Sequence, residues 1–438
     1  MLVQIAFMLV ALFGVAALTV DLGLARVTQS EMQTAADSAA IEGLRYRNIS
    51  SDGFQSDCRR RVAAADMVRT TFQNTDDDRR YGAGPVIAID GGVGPADAFT
   101  QIDLSDPHAY APDLQINQTT NDGIGDLVSG TFTSSSAPGP EEDAGYARVD
   151  FAPAAAVDAG SSGFEGCPSP IDHPELYDNP APDAWPDSGV GPIGVADHAN
   201  GAFLVRLRRT SNRDGLDDVP EVSSHGPALP LLFGRGSAIA GTDVDAGDSL
   251  RRDGLTIRAT AIAGAMPALA VGQAGGSVGE GAAPFALSSD AYAAVPVDPP
   301  TTMVIGADGS IDGGQFTAVP LTRVGEMVPV ASPATCDVPI SGEGRRAYVP
   351  LVDTIGASSR VVGFGRVTFW WSCDTPGDPP GDFRVARGSQ HVVSANATAV
   401  LADGFPADLP LDDVADLMTR NRQLADAGLA VLVPALVR

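Results

Sequence analysis

The stretch Leu2–Val20, LVQIAFMLVALFGVAALTV, constrains this chain more than any other feature: nineteen residues without a charge, interrupted only by Gln4 and Thr19. As a helix it is roughly 28 Å long, close to the ~30 Å hydrocarbon core of a bilayer. A cleavable signal would carry a shorter apolar core of about 7–15 residues leading to a small-residue cleavage site. Here the run is longer, and helical spacing continues beyond it. From Asp21 the chain reads DLGLARVTQSEMQTAADSAAIEGLR, with Leu24, Val27, Ala35, Ala39 and Ile41 near helical period and no proline before Pro85. One helix reaching from the membrane to about Leu44 is expected. The first basic residue, Arg26, lies beyond the run. An anchor with its N-terminus inside ordinarily carries Lys or Arg before the span. A short basic leader upstream is therefore expected, or a polar domain that crosses regardless of flanking charge.

Beyond the helix the sequence changes character. Glycine (49) and proline (33) are frequent across the 438 residues, which favours turn-rich β structure in two or three lobes over long helices. Acids outnumber bases 55 to 28, and every base is arginine. The acidic surface repels phosphate backbones and excludes nucleic acid as a partner. The absence of lysine reads as coding bias and carries no function.

Four stretches emerge. Residues 1–48 form the membrane helix and its extension. Residues 49–80 hold a second helix, Asp57–Phe72, with Val62, Ala65, Val68 and Phe72 on one face and the basic run Arg59–Arg61. That run is a solvated face or, if the helix folds back, a contact for lipid phosphates. Residues 81–200 are loop-rich, and Pro168–Pro192 alone holds seven prolines. Residues 201–438 alternate like strands. Phe203, Val205 and Leu207 share a face, as do Leu255, Ile257, Ala259 and Ala261; Ala347–Ile355, Val361–Trp371 and His391–Leu401 are further candidates. A short helix is expected within 411–427, behind Asp412 and Asp413, and then a last strand over Leu429–Val437. The fold class is an N-terminal transmembrane α-helix followed by a mainly-β extracytoplasmic region, an antiparallel sandwich or barrel with loop-rich insertions.

Chemistry-bearing motifs are sparse. Cys58, Cys167, Cys336 and Cys373 include no CxxC pair, so they read as two disulfides of an exported chain, Cys336–Cys373 and Cys58–Cys167 on proximity, against a reading as four reduced thiols. The segment around Asn212, Asp214, Asp218 and Glu221 fits positions three, five, nine and twelve of a calcium loop, with Gly215 at six. Position one is Thr210 and position eight is Asp217, so a plain acidic turn competes with it. Asp122–Asp126 is a weaker echo. Calcium is the one cofactor these residues suggest. Gly189–Gly194 matches GxGxxG in form, but Pro192 removes an amide that phosphate would need. The histidines, His108, His173, His198, His225 and His391, form no HExxH, and no GxSxG nucleophile elbow is assigned. No catalytic residue is assigned, and an enzyme is not expected. Of Trp370 and Trp371, one ring is expected in the core beside a disulfide rather than as a carbohydrate platform.

The N-terminal residues carry a resemblance. Val20-Asp21-Leu22-Gly23 after an apolar helix, and then Met32-Gln33-Thr34-Ala35-Ala36-Asp37-Ser38-Ala39-Ala40, resemble the "VD-G" and "LQ-AADAAALAGA" elements of TadE/TadG-like proteins of the tight-adherence (Flp pilus) system. A looser similarity runs through Leu229–Gly236 and Leu255–Ala261. The DxSxS motif of the von Willebrand A domain found in some long members does not occur here. The resemblance implies a single-pass protein of the bacterial inner membrane, held in lipid through residues 2–20, with its bulk periplasmic or extracellular. Its implied partners are pilus-assembly or envelope proteins. The alternative is an anchored calcium-dependent adhesin or ligand-binding module.

Overall fold

The computed structural model describes residues 2–45, 56–72, 114, 126–132, 151–153, 201–209, 225–226, 229, 255–272, 281–296, 301–303, 313–316, 321–331, 340–372, 382–388, 405–406 and 409–437. A single helix, α1, runs from Leu2 to Arg45, so the apolar run and the alanine-rich stretch lie on one rod of roughly 66 Å. A second helix, α2 (Ser56–Phe72), packs against its C-terminal half, with Ala64 Cβ close to Gly43. Arg60 and Arg61 of α2 are wholly buried. The lipid-phosphate reading of that run therefore fails for these two.

The first sheet contains β1 (Leu127–Phe132), β2 (Phe151–Pro153), β3 (Gly201–Arg209), β4 (His225–Gly226), β5 (Ile257–Pro267) and β16 (Leu432–Leu436). Its order is β16-β5-β3-β1-β2, antiparallel throughout, with β4 running parallel beside the end of β3. Phe203, Val205 and Leu207 do share one face, and they pack with α1. The opposite face of β3, with Ala202 and Leu204, is also buried, against Val128, Phe132, Phe151 and Ile262. Strands β1 and β2 fall inside the stretch read as loop-rich. Their short length hid them, and Gly130 passes so near the Ala152 carbonyl that a Cβ there would collide with it.

The remaining strands are β6 (Ala270–Gly272), β7 (Phe285–Ser288), β8 (Thr301–Met303), β9 (Gly313–Phe316), β10 (Leu321–Arg323), β11 (Met327–Val328), β12 (Val330–Ala331), β13 (Ile340–Val352), β14 (Ser359–Ser372) and β15 (Asp382–Arg387). β6 and β10 form a ribbon; the others make a sheet of order β12-β9-β7-β13-β14-β15-β8, with β11 on β14. Only β7 and β13 pair in parallel there. The strand expected over 391–401 lies outside the described residues. Among the described residues neither large sheet closes on itself, so the architecture is sandwich-like and not a barrel. The core of the second sheet is aromatic. Phe285 meets Phe369 and Phe383 edge to face at 5.0 and 5.2 Å between centroids, and Trp371 joins them. Trp370 points the other way, over Gly344 (φ +80°) and beneath Arg384, 5.9 Å from the ring centre.

Two short helices tie these layers together. In α3 (Ser289–Ala294) the Ser288 hydroxyl caps Ala291 N–H. Buried Tyr292 donates its hydroxyl proton to Arg366 C=O at 3.0 Å and accepts from Arg366 N–H at 2.9 Å. Gly365 leaves room for its ring, since a Cβ there would collide with Tyr292 Cζ. The helix expected near 411–427 is α4, Leu411–Asp426. Asn421 Nδ2 on α4 donates to Ala268 C=O at 3.2 Å, and its Oδ1 lies where a Cβ at Gly363 of β14 would come within 2.9 Å of it. Gly428, at φ +73°, ends α4 in a left-handed turn, with Leu429 N–H returning to Leu424 C=O. That turn feeds the last strand, β16, onto β5.

Candidate functional site: a membrane anchor and its docking seam

The two halves of α1 face different surroundings. Val3 to Val20 is exposed along its length, and large apolar side chains such as Phe7, Met8, Leu12 and Phe13 point outward on every side. None of its most apolar stretch is buried in the protein. A helix that is apolar all round and uncovered by protein needs lipid as its solvent. From Asp21 onward the exposure becomes one-sided. Asp21, Thr28, Met32, Ala35, Ala36, Ala39, Ala40 and Gly43 are buried, at steps of three, four and seven residues that trace one stripe of an α-helix.

That stripe is built from small side chains for a geometric reason. It lies on the face of the first sheet formed by Phe203, Val205, Leu207, Ala259, Ala261, Ala263 and Leu432. Alanines on both sides let helix and sheet approach closely. At Gly43 even a methyl group is excluded, because a Cβ would stand 2.5 Å from the Phe203 ring. One polar clasp crosses the seam: Gln33 Nε2 donates to Thr260 C=O of β5 at 2.9 Å and to Asp37 Oδ1, one turn along α1, at 2.8 Å. Of the face read from helical spacing, Ala35 and Ala39 lie in the stripe, Leu24 and Ile41 are half-buried and Val27 is exposed. The clasp has no local signal, since nothing distinguishes Gln33 from a solvated glutamine.

Residues 3–45 match the family model described as Flp pilus-assembly TadE/G-like. The N-terminal helix is a TadE/G-like segment. The matched span coincides with α1 from end to end, so the TadE/G-like pattern covers both the lipid-facing half and the docking seam. Its alanine-rich element, Met32 to Ala40, is the part seated on the sheet. The match is confined to this helix, which is long and apolar enough to cross a membrane, and it supports a membrane-anchored, Flp pilus-related protein. No curated protein and no solved structure matches the chain.

Asn212, Asp214, Asp218 and Glu221 lie outside the described residues. So do Asp122, four of the five histidines, Cys167, Cys336 and Cys373. Asp126 is buried before β1, and its carbonyl accepts from Arg206 N–H at 2.8 Å. Cys58 is buried in α2 and disulfide-bonded; the other half of that bond lies outside the described residues, so the pairing does too. Among the described residues, no group of three or more His, Cys, Asp or Glu is placed to hold a metal ion.

Proposed function

We propose that this chain is a structural component of tight-adherence pilus assembly, with α1 crossing the bacterial inner membrane once and the acidic β-rich domain outside the cytoplasm. The observation that carries the reading is the coincidence of the TadE/G-like match with a helix that is lipid-facing in one half and welded to the β domain in the other. A helix so joined transmits position: whatever the domain binds is held at a set place above the membrane. The domain's task in this reading is to contact pilus or envelope proteins, not to catalyse a reaction. Its acidity, −27 overall, favours basic partner surfaces. The disulfide at Cys58 fits an oxidising compartment. An in-frame deletion should abolish or sharply reduce surface pili and adherence, restored by the full chain. Normal pili and adherence in the deletion strain would end this reading.

The acidic segment Asn212–Glu221 supports a second reading, an anchored calcium-dependent adhesin. Calorimetric titration of the full chain with calcium separates the two. Heat of binding that disappears in Asp214→Asn with Asp218→Asn favours the adhesin, and no heat removes it.

A further inference from the structure

We propose that the β-rich domain sits directly on the bilayer, with the lipid headgroup layer wrapping the exposed face of α1 from Leu22 to Val27. The inference rests on reading α1 as a lipid-embedded anchor and adds where the lipid surface lies relative to the domain.

Height along the helix decides it. A bilayer of about 40–45 Å with a core of about 30 Å leaves roughly 5–8 Å of headgroups on each side, or about four or five helical residues. With the apolar run ending at Val20, residues 21–25 stand at headgroup height and Arg26 and Val27 at its outer edge. Asp21 is only 7% exposed and is engaged in an interaction of its own. It belongs to the same stripe as Thr28, Met32 and Ala35, the stripe that docks on the domain. Protein therefore covers this face of α1 from the first residue past the hydrocarbon, and no length of bare helix separates domain from lipid.

The opposite face of the same turns is open. Leu22 and Val27 are each 53% exposed, and exposed Arg26 lies between them. They continue the exposed apolar surface of Val3–Val20 without a break, which identifies lipid as the occupant. The Arg26 stem can lie along this apolar surface while its guanidinium reaches phosphate oxygens. Net charge opposes such seating on an anionic surface, because the chain carries −27. The contact therefore relies on the helix stripe and on the covered carboxylate of Asp21.

The test is photo-crosslinking of the full chain in phosphatidylethanolamine–phosphatidylglycerol vesicles, with benzoylphenylalanine replacing Leu12, Leu22, Val27 or Thr34 one at a time. All four positions are exposed, so the replacements leave the packing intact. Thr34, roughly 21 Å beyond Val20 along the helix, is the control outside the membrane. The expected result, read by mass spectrometry, is lipid adducts at Leu22 and Val27 comparable with Leu12, and their loss at Thr34. Adducts at Leu12 without any at Leu22 and Val27 overturn the seating and leave the anchor standing. Protein adducts in place of lipid at Leu22 and Val27 overturn it in favour of a partner helix. No lipid adduct at Leu12 overturns the anchor reading and the seating together.

Discussion

Tyr292 shows how a single side chain can join two elements of this domain. Its hydroxyl both gives and receives a hydrogen bond at the backbone of Arg366, and its ring occupies the space that Gly365 leaves open. Tyr292→Phe keeps the ring, takes from Arg366 N–H its hydroxyl acceptor and leaves Arg366 C=O with the Gly388 N–H donor, which should cost about 1–3 kcal/mol. Denaturant titration of the detergent-solubilised protein would read this as a lower midpoint at unchanged slope. Burial pushes the phenol pKa well above its ordinary value of about 10, outweighing the Arg366 backbone hydrogen bond and the nearby Arg387 and Arg366 charges. The unfolded chain thus releases this proton before the folded one does. The Tyr292 contribution is complete below about pH 10 and declines as pH rises through and above that value. Tyr292→Phe should accordingly show a flatter loss of stability above pH 10 than the unaltered protein, and equal slopes would refute the assignment. Gln33 works in a similar way across the helix–sheet seam, committing both amide protons of one nitrogen to Asp37 and Thr260.

At the scale of elements, α1 is two devices on one rod, and glycine marks the difference. A Cβ at Gly14, in the lipid-facing half, would meet nothing within 4 Å. A Cβ at Gly43 would meet the Phe203 ring, itself fully buried between helix and sheet. Gly43→Val should overpack the seam at a cost of about 1–3 kcal/mol or more, seen as lower thermal stability and faster proteolysis of the outer domain. Gly14→Val should leave both unchanged. If the two variants behave alike, the seam does not hold the domain. Both halves of α1 are legible in the sequence because both signals are local: an uncharged run, and alanines at a 3.6-residue period. The strands β3, β5, β13 and β14 are legible through alternation for the same reason. Strands β1 and β2 are not. They are six and three residues long, set among glycine and proline, and become strands because β3 offers an open edge.

At the scale of the whole molecule, the first and last elements of the chain meet. β16 pairs with β5 and contributes Leu432 to the surface under α1, while Val431 N–H bonds Phe364 C=O of the second sheet at 2.8 Å. The final residues therefore bond to both sheets, and pairings this remote in sequence make for slow, late completion of the fold. An uncharged stretch long enough for a bilayer, and a helix continuing through the alanine-rich residues behind it, are properties of neighbouring residues, and sequence alone determined them. Which surfaces they meet was settled only by tertiary structure. The pattern of β3, with Arg206 and Arg208 among apolar residues, reads as half-solvated, yet both of its faces are buried. The packing of Leu24 and Ala25 likewise depends on strands far along the chain coming to rest beside them. Periodicity records which face of an element is apolar, whereas the identity of what covers that face is a long-range contact with no local trace.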